Sequence, residues 1–182
     1  MNGDNERKER IAECFKKHFD HFGFKKTSVG DVAKELGISK KTVYQFFSTK
    51  EKIFYFIVSK AARSYRNKME EDLTGIPTSR EKMDTLLRMI FAETRKRLQT
   101  VDAFEFKYKH DIAKLAFQEA SNELLEKLVE EGIASKEFNA GNVQLTIRFF
   151  NGIIFEAMAL VTANPALFVE HDVIESMMKL LK

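Results

Sequence analysis

At 182 residues, 44% of them apolar, with a net charge of +3 and a single cysteine, the chain has room for a small domain plus a larger one. Cys14 alone excludes an intramolecular disulfide and cannot by itself build a thiolate zinc site. Two prolines, eight glycines and an abundance of Lys, Glu, Leu, Ala, Phe and Ile exclude a strand-rich fold and point to an all-α chain.

The charge is uneven. Residues 1–60 hold 13 Lys and Arg against 8 Asp and Glu, an excess of +5, whereas residues 61–182 hold 17 against 19, or −2. A basic first third favours a polyanionic partner at that end. The opening MNGDNERKER has no apolar core of a signal peptide, and the apolar stretch Gly152 to Ala163 is too short to span a bilayer and carries Glu156, so a cytoplasmic protein is expected.

In chain order, Ile11, Cys14, Phe15, His18, Phe19 and Phe22 recur at helical spacing over residues 6–22, and Gly23 suits the position just past the helix end. Cys14, His18 and His21 share one side of that helix. Without a carboxylate set on the stripe, His18 reads as a core histidine and no metal is expected. Ser28 with Asp31 resembles a capping box opening a second helix with Val32, Ala33 and Leu36 inward. Leu36-Gly37-Ile38 is a turn that needs the left-handed backbone glycine adopts freely.

Ser39 then caps a third helix with Val43 and Phe47 inward and Lys40, Lys41, Thr42, Tyr44 and Gln45 outward. Ser48 with Glu51 reads as another capping box, starting a fourth helix that runs to about Asp72. Lys50 in its first turn opposes the helix dipole and is better explained by a bound phosphate. Gly75 and Pro77 break the pattern. Thr78 with Glu81 opens a fifth helix reaching Leu98, and after a connector at Thr100 to Asp102 the sixth runs from Phe104 to Glu131, ended by Gly132. The seventh covers Ala140 to Ala163, stopped by Asn164-Pro165, and the last lies near Asp172 to Leu181.

Two short helices around a glycine turn, the second basic and hydroxyl-rich on its open face, fit a helix-turn-helix DNA reader with core motif 28–47. In that arrangement the second helix enters the major groove. Lys40, Lys41, Thr42 and Gln45 have the chemistry to read bases, with Ser39 at the helix start. Thr27, Ser28, Tyr44 and Lys50 suit phosphate anchoring, which fixes register without reading sequence.

The residues Phe19, Gly23-Phe24, Thr27-Ser28, Asp31-Val32-Ala33, Leu36-Gly37-Ile38-Ser39-Lys40, Thr42-Val43-Tyr44, Phe46-Phe47 and Ser48-Thr49-Lys50-Glu51 resemble the N-terminal signature of the Tet repressor (TetR) family over residues 7–55. The resemblance implies an all-helical homodimer of about nine helices, three of them reading DNA, and most such proteins are repressors released by a small molecule. It places DNA contacts on Ser28, Lys40, Lys41, Thr42, Tyr44 and Lys50, and Gly30 departs from the polar side chain often found there. The division expected is a DNA-binding unit over 1–52 and a helical regulatory and dimerisation unit over 53–182.

The seventh helix is apolar on two opposed sides. At about 100° per residue, Leu145, Phe149, Gly152, Glu156, Ala159, Leu160 and Ala163 share one direction, and Val143, Ile147, Phe150, Ile154, Ala157, Met158 and Val161 the other. The first side needs a cover, either another helix of this chain or a second copy. It is expected to form a dimer interface with Val173, Ile174, Met177, Met178 and Leu181 of the last helix. The second would face Leu87, Phe91, Phe104, Tyr108 and Ile112 around a pocket for a small, largely apolar ligand, with Phe150 and Ile154 lining it.

The competing reading is a ligand-independent helix-turn-helix or architectural protein. Glu156, His110 and Asp111 are acid/base types, but no nucleophile motif, metal triad or phosphate loop accompanies them, and neither enzyme activity nor a cofactor is expected.

Overall fold

The computed structural model describes residues 2–99, 103–163 and 170–182. Eight α-helices and no strand lie among them: α1 (Asn2–Lys26), α2 (Val29–Glu35), α3 (Lys40–Phe46), α4 (Lys50–Asp72), α5 (Ser79–Gln99), α6 (Ala103–Ala134), α7 (Val143–Ala163) and α8 (Glu170–Lys179). The chain's own periodicity marks the same eight, one fewer than the family resemblance implies. The run from 103 to 134 has no breaker before Gly132 and forms one helix of 32 residues. No described helix is long and apolar enough to cross a membrane.

Apolar side chains separate into two main clusters. The first joins Ile11, Phe15, Phe19 and Phe24 of α1 to Val32, Val43, Phe47 and Ile53. The second gathers Met83, Leu87 and Phe91 of α5, Leu124, Leu125 and Leu128 of α6, Phe150 of α7 and Met177 of α8. Helix α4 enters both, through Ile53 at one end and Met69 at the other. Between them Ala62 meets Ala116 and Ala120 in a narrow seam of small side chains on which α4 crosses α6. Ion pairs Arg66 to Glu123 (2.6 Å) and Lys127 to Glu70 (2.5 Å) flank it. Being solvent-exposed, each contributes at most about 1 kcal/mol.

The helix boundaries correct three expectations. Helix α1 is broken at Gly23 (φ 79°), as a post-helical glycine requires, but the chain resumes helical form to Lys26. Thr49, not Ser48, caps α4: its hydroxyl accepts from Lys52 N at 3.2 Å. Gly132 does not end α6, which runs two residues further. Instead the ring of Phe138 lies over it, and a Cβ there would meet Phe138 Cδ2 at 2.0 Å. The left-handed residue that turns the chain is Lys136 (φ 62°).

At α5 Thr78 caps the helix, Glu81 N donating to Thr78 Oγ1 at 3.1 Å, and the same hydroxyl donates to Glu81 Oε2 at 2.9 Å. A second acid joins from far along the chain: Glu137 accepts from Ser79 N and Arg80 N, both at 3.1 Å. Those backbone donors hold its carboxyl below the usual range.

Candidate nucleic-acid interface

Helices α2 and α3 are seven residues each, too short to persist alone, so their ends are fixed by side chains and by packing. Ser28 caps α2 by accepting from Gly30 N at 3.1 Å, one residue earlier than a capping box with Asp31 requires. The turn closes with Gly37 N to Lys34 O (3.1 Å) and Ile38 N to Ala33 O (3.0 Å), with Gly37 at φ 67°. Ser39 caps α3, accepting from Thr42 N at 3.0 Å, and the two hydroxyls lie 2.9 Å apart. Val43 and Phe47 are buried, which turns Lys40, Lys41, Tyr44 and Gln45 outward to solvent.

A cleft of about 470 Å³ opens between this helix and the start of α4, lined by Thr27, Ser28, Gly30, Lys40, Tyr44, Ser48, Thr49 and Lys50 among others. The sequence-expected anchors therefore meet in one place, but two of them have other work. Thr27 is buried, and both its N–H and its hydroxyl donate to Gly23 O, at 3.2 and 2.8 Å. Lys50 Nζ donates to Phe24 O (2.7 Å), Thr27 O (3.1 Å) and Lys25 O (3.5 Å), and it lies 4.5 Å from the Phe24 ring centroid.

An ammonium has three N–H donors, and those of Lys50 clamp the carbonyl end of α1 and its exit while the side chain lines the cleft. Thr27 is engaged within the chain in the same way. Ser48 and Thr49, given no DNA role from the sequence, line the cleft beside them. The signal was their position at the exposed start of α4, where hydroxyls and free N–H groups suit an anion.

Gly30 also acquires a reason. A Cβ there would come within 2.6 Å of Lys40 Cε and 3.0 Å of Nζ, so the missing side chain is what lets Lys40 lie across the start of α2.

Between α1 and the end of α2, Cys14 Sγ donates to Glu35 Oε1 at 3.4 Å and His18 Nε2 to Glu35 Oε2 at 2.6 Å. Burial, then the Glu35 contact, pushes the Cys14 thiol up to about 11, and the bond from His18 holds the Glu35 carboxyl below its usual value.

Helix α7 has the two faces its sequence requires. Ile147, Phe150 and Ala157 are buried, while Phe149 and Leu160 stand 52% and 53% exposed beside exposed Gly152, Glu156 and Ala159. Nothing lies within 4 Å of where a Cβ on Gly152 would be. Ile174, Met177 and Met178 are not on that face. They are buried in the chain's own core, because α8 lays its one apolar stripe against α5 and α7. Leu87, Phe91 and Phe150 are likewise fully buried, with Ile112 and Ile154 half-buried. The side chains of Phe104, Tyr108 and Ala163 fall outside the described residues.

A short capped helix with a basic, hydroxyl-bearing open face, set on a glycine turn and continued by a helical body, defines a helix-turn-helix DNA-binding regulator. Residues 16–55 match the family described as bacterial regulatory proteins, tetR family. The uncharacterised HTH-type transcriptional regulator YhgD of Bacillus subtilis (strain 168) is 25% identical over 162 residues, 83% of this chain and 84% of its own length. The fatty acid metabolism regulator protein of the same organism is 25% identical over 152 residues, 78% and 76% of the two chains. Two solved structures share the fold. RolR in complex with resorcinol covers 99% of this chain and 89% of its own at TM-score 0.73 and 12% identity, and FadR from Bacillus subtilis with stearoyl-CoA covers 95% and 96% at TM-score 0.54 and 22% identity. Residues 16–55 thus carry the DNA-binding segment of the TetR family of transcriptional regulators, and over most of its length the chain is similar to HTH-type regulators.

Proposed function

We propose that this regulator is a cytoplasmic homodimeric repressor that holds a palindromic operator and is released from it by a small, largely apolar ligand. The division falls near residue 52, with the DNA-binding unit before it. The observation that carries the DNA reading is the open face of α3, where Lys40, Lys41, Tyr44 and Gln45 project beside the cleft while Val43 and Phe47 anchor the helix from behind. Lys40, Lys41, Thr42 and Gln45 read bases, and Ser28, Tyr44, Ser48 and Thr49 hold phosphates.

Pairing is supported by the outer face of α7. Fully burying a Phe or Leu contributes about 1.5–3 kcal/mol, so covering Phe149 and Leu160 with their copies is a strong drive to dimerise. Two recognition helices must then lie about 34–36 Å apart to meet successive major grooves. Helix α4, shared by both cores, can change that spacing when a ligand prefers a different arrangement of the body. The acyl class is the first to test as ligand, given the relative named for fatty acid metabolism and the FadR structure with stearoyl-CoA.

Selection of bound sites from random DNA should return an inverted repeat, and long-chain acyl-CoA should lower affinity for it. Equal affinity with and without every acyl-CoA tested would remove the acyl reading, and a single half-site bound by a monomer would remove the dimer. Sedimentation of Phe149→Ser with Leu160→Ser should give a monomer that is still folded.

A further inference from the structure

The stripe on α1 lacks a carboxylate when read along the sequence, but the fold supplies one from α2. Cys14 Sγ, His18 Nε2 and a Glu35 carboxylate oxygen all lie within 4.8 Å of one another. Cys14 is buried, the His18 side chain is 13% exposed and that of Glu35 is 55% exposed, so the group is closed towards the head core and open to solvent on one side. We propose that Cys14, His18 and Glu35 form a binding site for a divalent transition cation of zinc type.

The donor set carries the choice of ion. A thiolate, an imidazole nitrogen and a carboxylate oxygen are the three kinds of ligand zinc takes, at about 2.0–2.3 Å, and hard cations such as magnesium or calcium avoid the sulfur. The observed contacts are proton-mediated: the thiol proton and the His18 Nε2 proton both point at Glu35. A cation at their common centre displaces the thiol proton to solvent, while the neutral His18 ring keeps its one N–H proton on Nδ1 and presents Nε2, so that all three donor atoms bind and water completes four ligands on the Glu35 side. Exposed Glu35 is free to rotate and open the 2.6 Å contact towards ligand spacing. His21, the other histidine of α1, is exposed against Phe22 and lies outside the group.

The ion would tie residues 14 and 18 of α1 to residue 35, the last of α2, next to the Leu36-Gly37 turn that aims α3. Metal supply would thereby stiffen the reading head at a point remote from the α5 to α8 body.

Cobalt(II) serves as the optical probe, added to the untagged, reduced protein. One equivalent per chain should produce a thiolate-to-cobalt charge-transfer band and the visible bands of a tetrahedral centre, with proton release. One equivalent of zinc(II) should bleach both and raise the melting temperature. Cys14→Ala should abolish the charge-transfer band, and Glu35→Gln, a surface change that leaves the fold intact, should weaken cobalt binding at least tenfold. His21→Ala should leave every reading unchanged. The proposal is overturned if no charge-transfer band develops at one equivalent, if Glu35→Gln binds as tightly as the parent chain, or if His21→Ala removes the signal.

Discussion

The core under α1 to α3 and the core of α5 to α8 differ in what holds them. In the head, two seven-residue helices are pinned by Ser28 and Ser39 at their starts, by a glycine turn, and by Lys50 reaching back to three carbonyls of α1 and its exit. In the body, helices of 21 and 32 residues are held mainly by apolar burial of Leu, Met and Phe. Polar groups near the proposed DNA face therefore hold the structure at the place where recognition is proposed. In the body the two duties are far apart, and most surface polar groups can change at little cost.

The largest effect should come from the body. Phe150→Ala removes a fully buried ring from the centre of that cluster and should cost about 3–5 kcal/mol, read by chemical denaturation. If the head melted together with it, the two cores would be one cooperative unit and the contrast would fail.

Next, Lys50→Met should destabilise the head by about 1.5–3 kcal/mol, the usual worth of charge-assisted hydrogen bonds. It should weaken binding to all DNA sequences alike. Unchanged melting with weakened DNA binding would make Lys50 a phosphate contact.

Gln45→Ala, at an exposed position, should leave the melting temperature unmoved yet cost about 1–3 kcal/mol at one base pair of the operator, measured by competition between mutated sites. The smallest effect concerns pH. Because the folded-state pKa of Glu137 is depressed, its capping contribution is complete above the ordinary carboxylate value and is lost as pH falls through the lower folded value. Glu137→Gln should therefore flatten the acid limb of stability against pH, and an unchanged limb would show that the cap at α5 contributes nothing to it.

The helices, their order and the turn at Gly37 were legible because each depends on near neighbours: apolar spacing of three and four, a capping hydroxyl, a glycine where φ is positive. The inward and outward residues of α3 were legible for the same reason. What the sequence hid are partnerships across distance. Lys50 meets Phe24, 26 positions away, and Glu137 caps Ser79, 58 positions away. Glu35 completes a group with Cys14 and His18 that no pattern along α1 alone contains. Helix α8 misled because an amphipathic stripe states that it needs a cover but not which element provides it, and here α5 and α7 do.

Gly30 bears on how such a regulator could acquire a new target. The space above it is occupied by the far end of Lys40, so the conformation of a side chain proposed to read bases depends on an atom that is not there. Exchanging Gly30 for Ala, a change reachable by one nucleotide substitution, would displace the Lys40 ammonium without altering α3 at all. Operator preference can thus drift through a position that touches no base, leaving the recognition helix identical between two regulators that serve different genes.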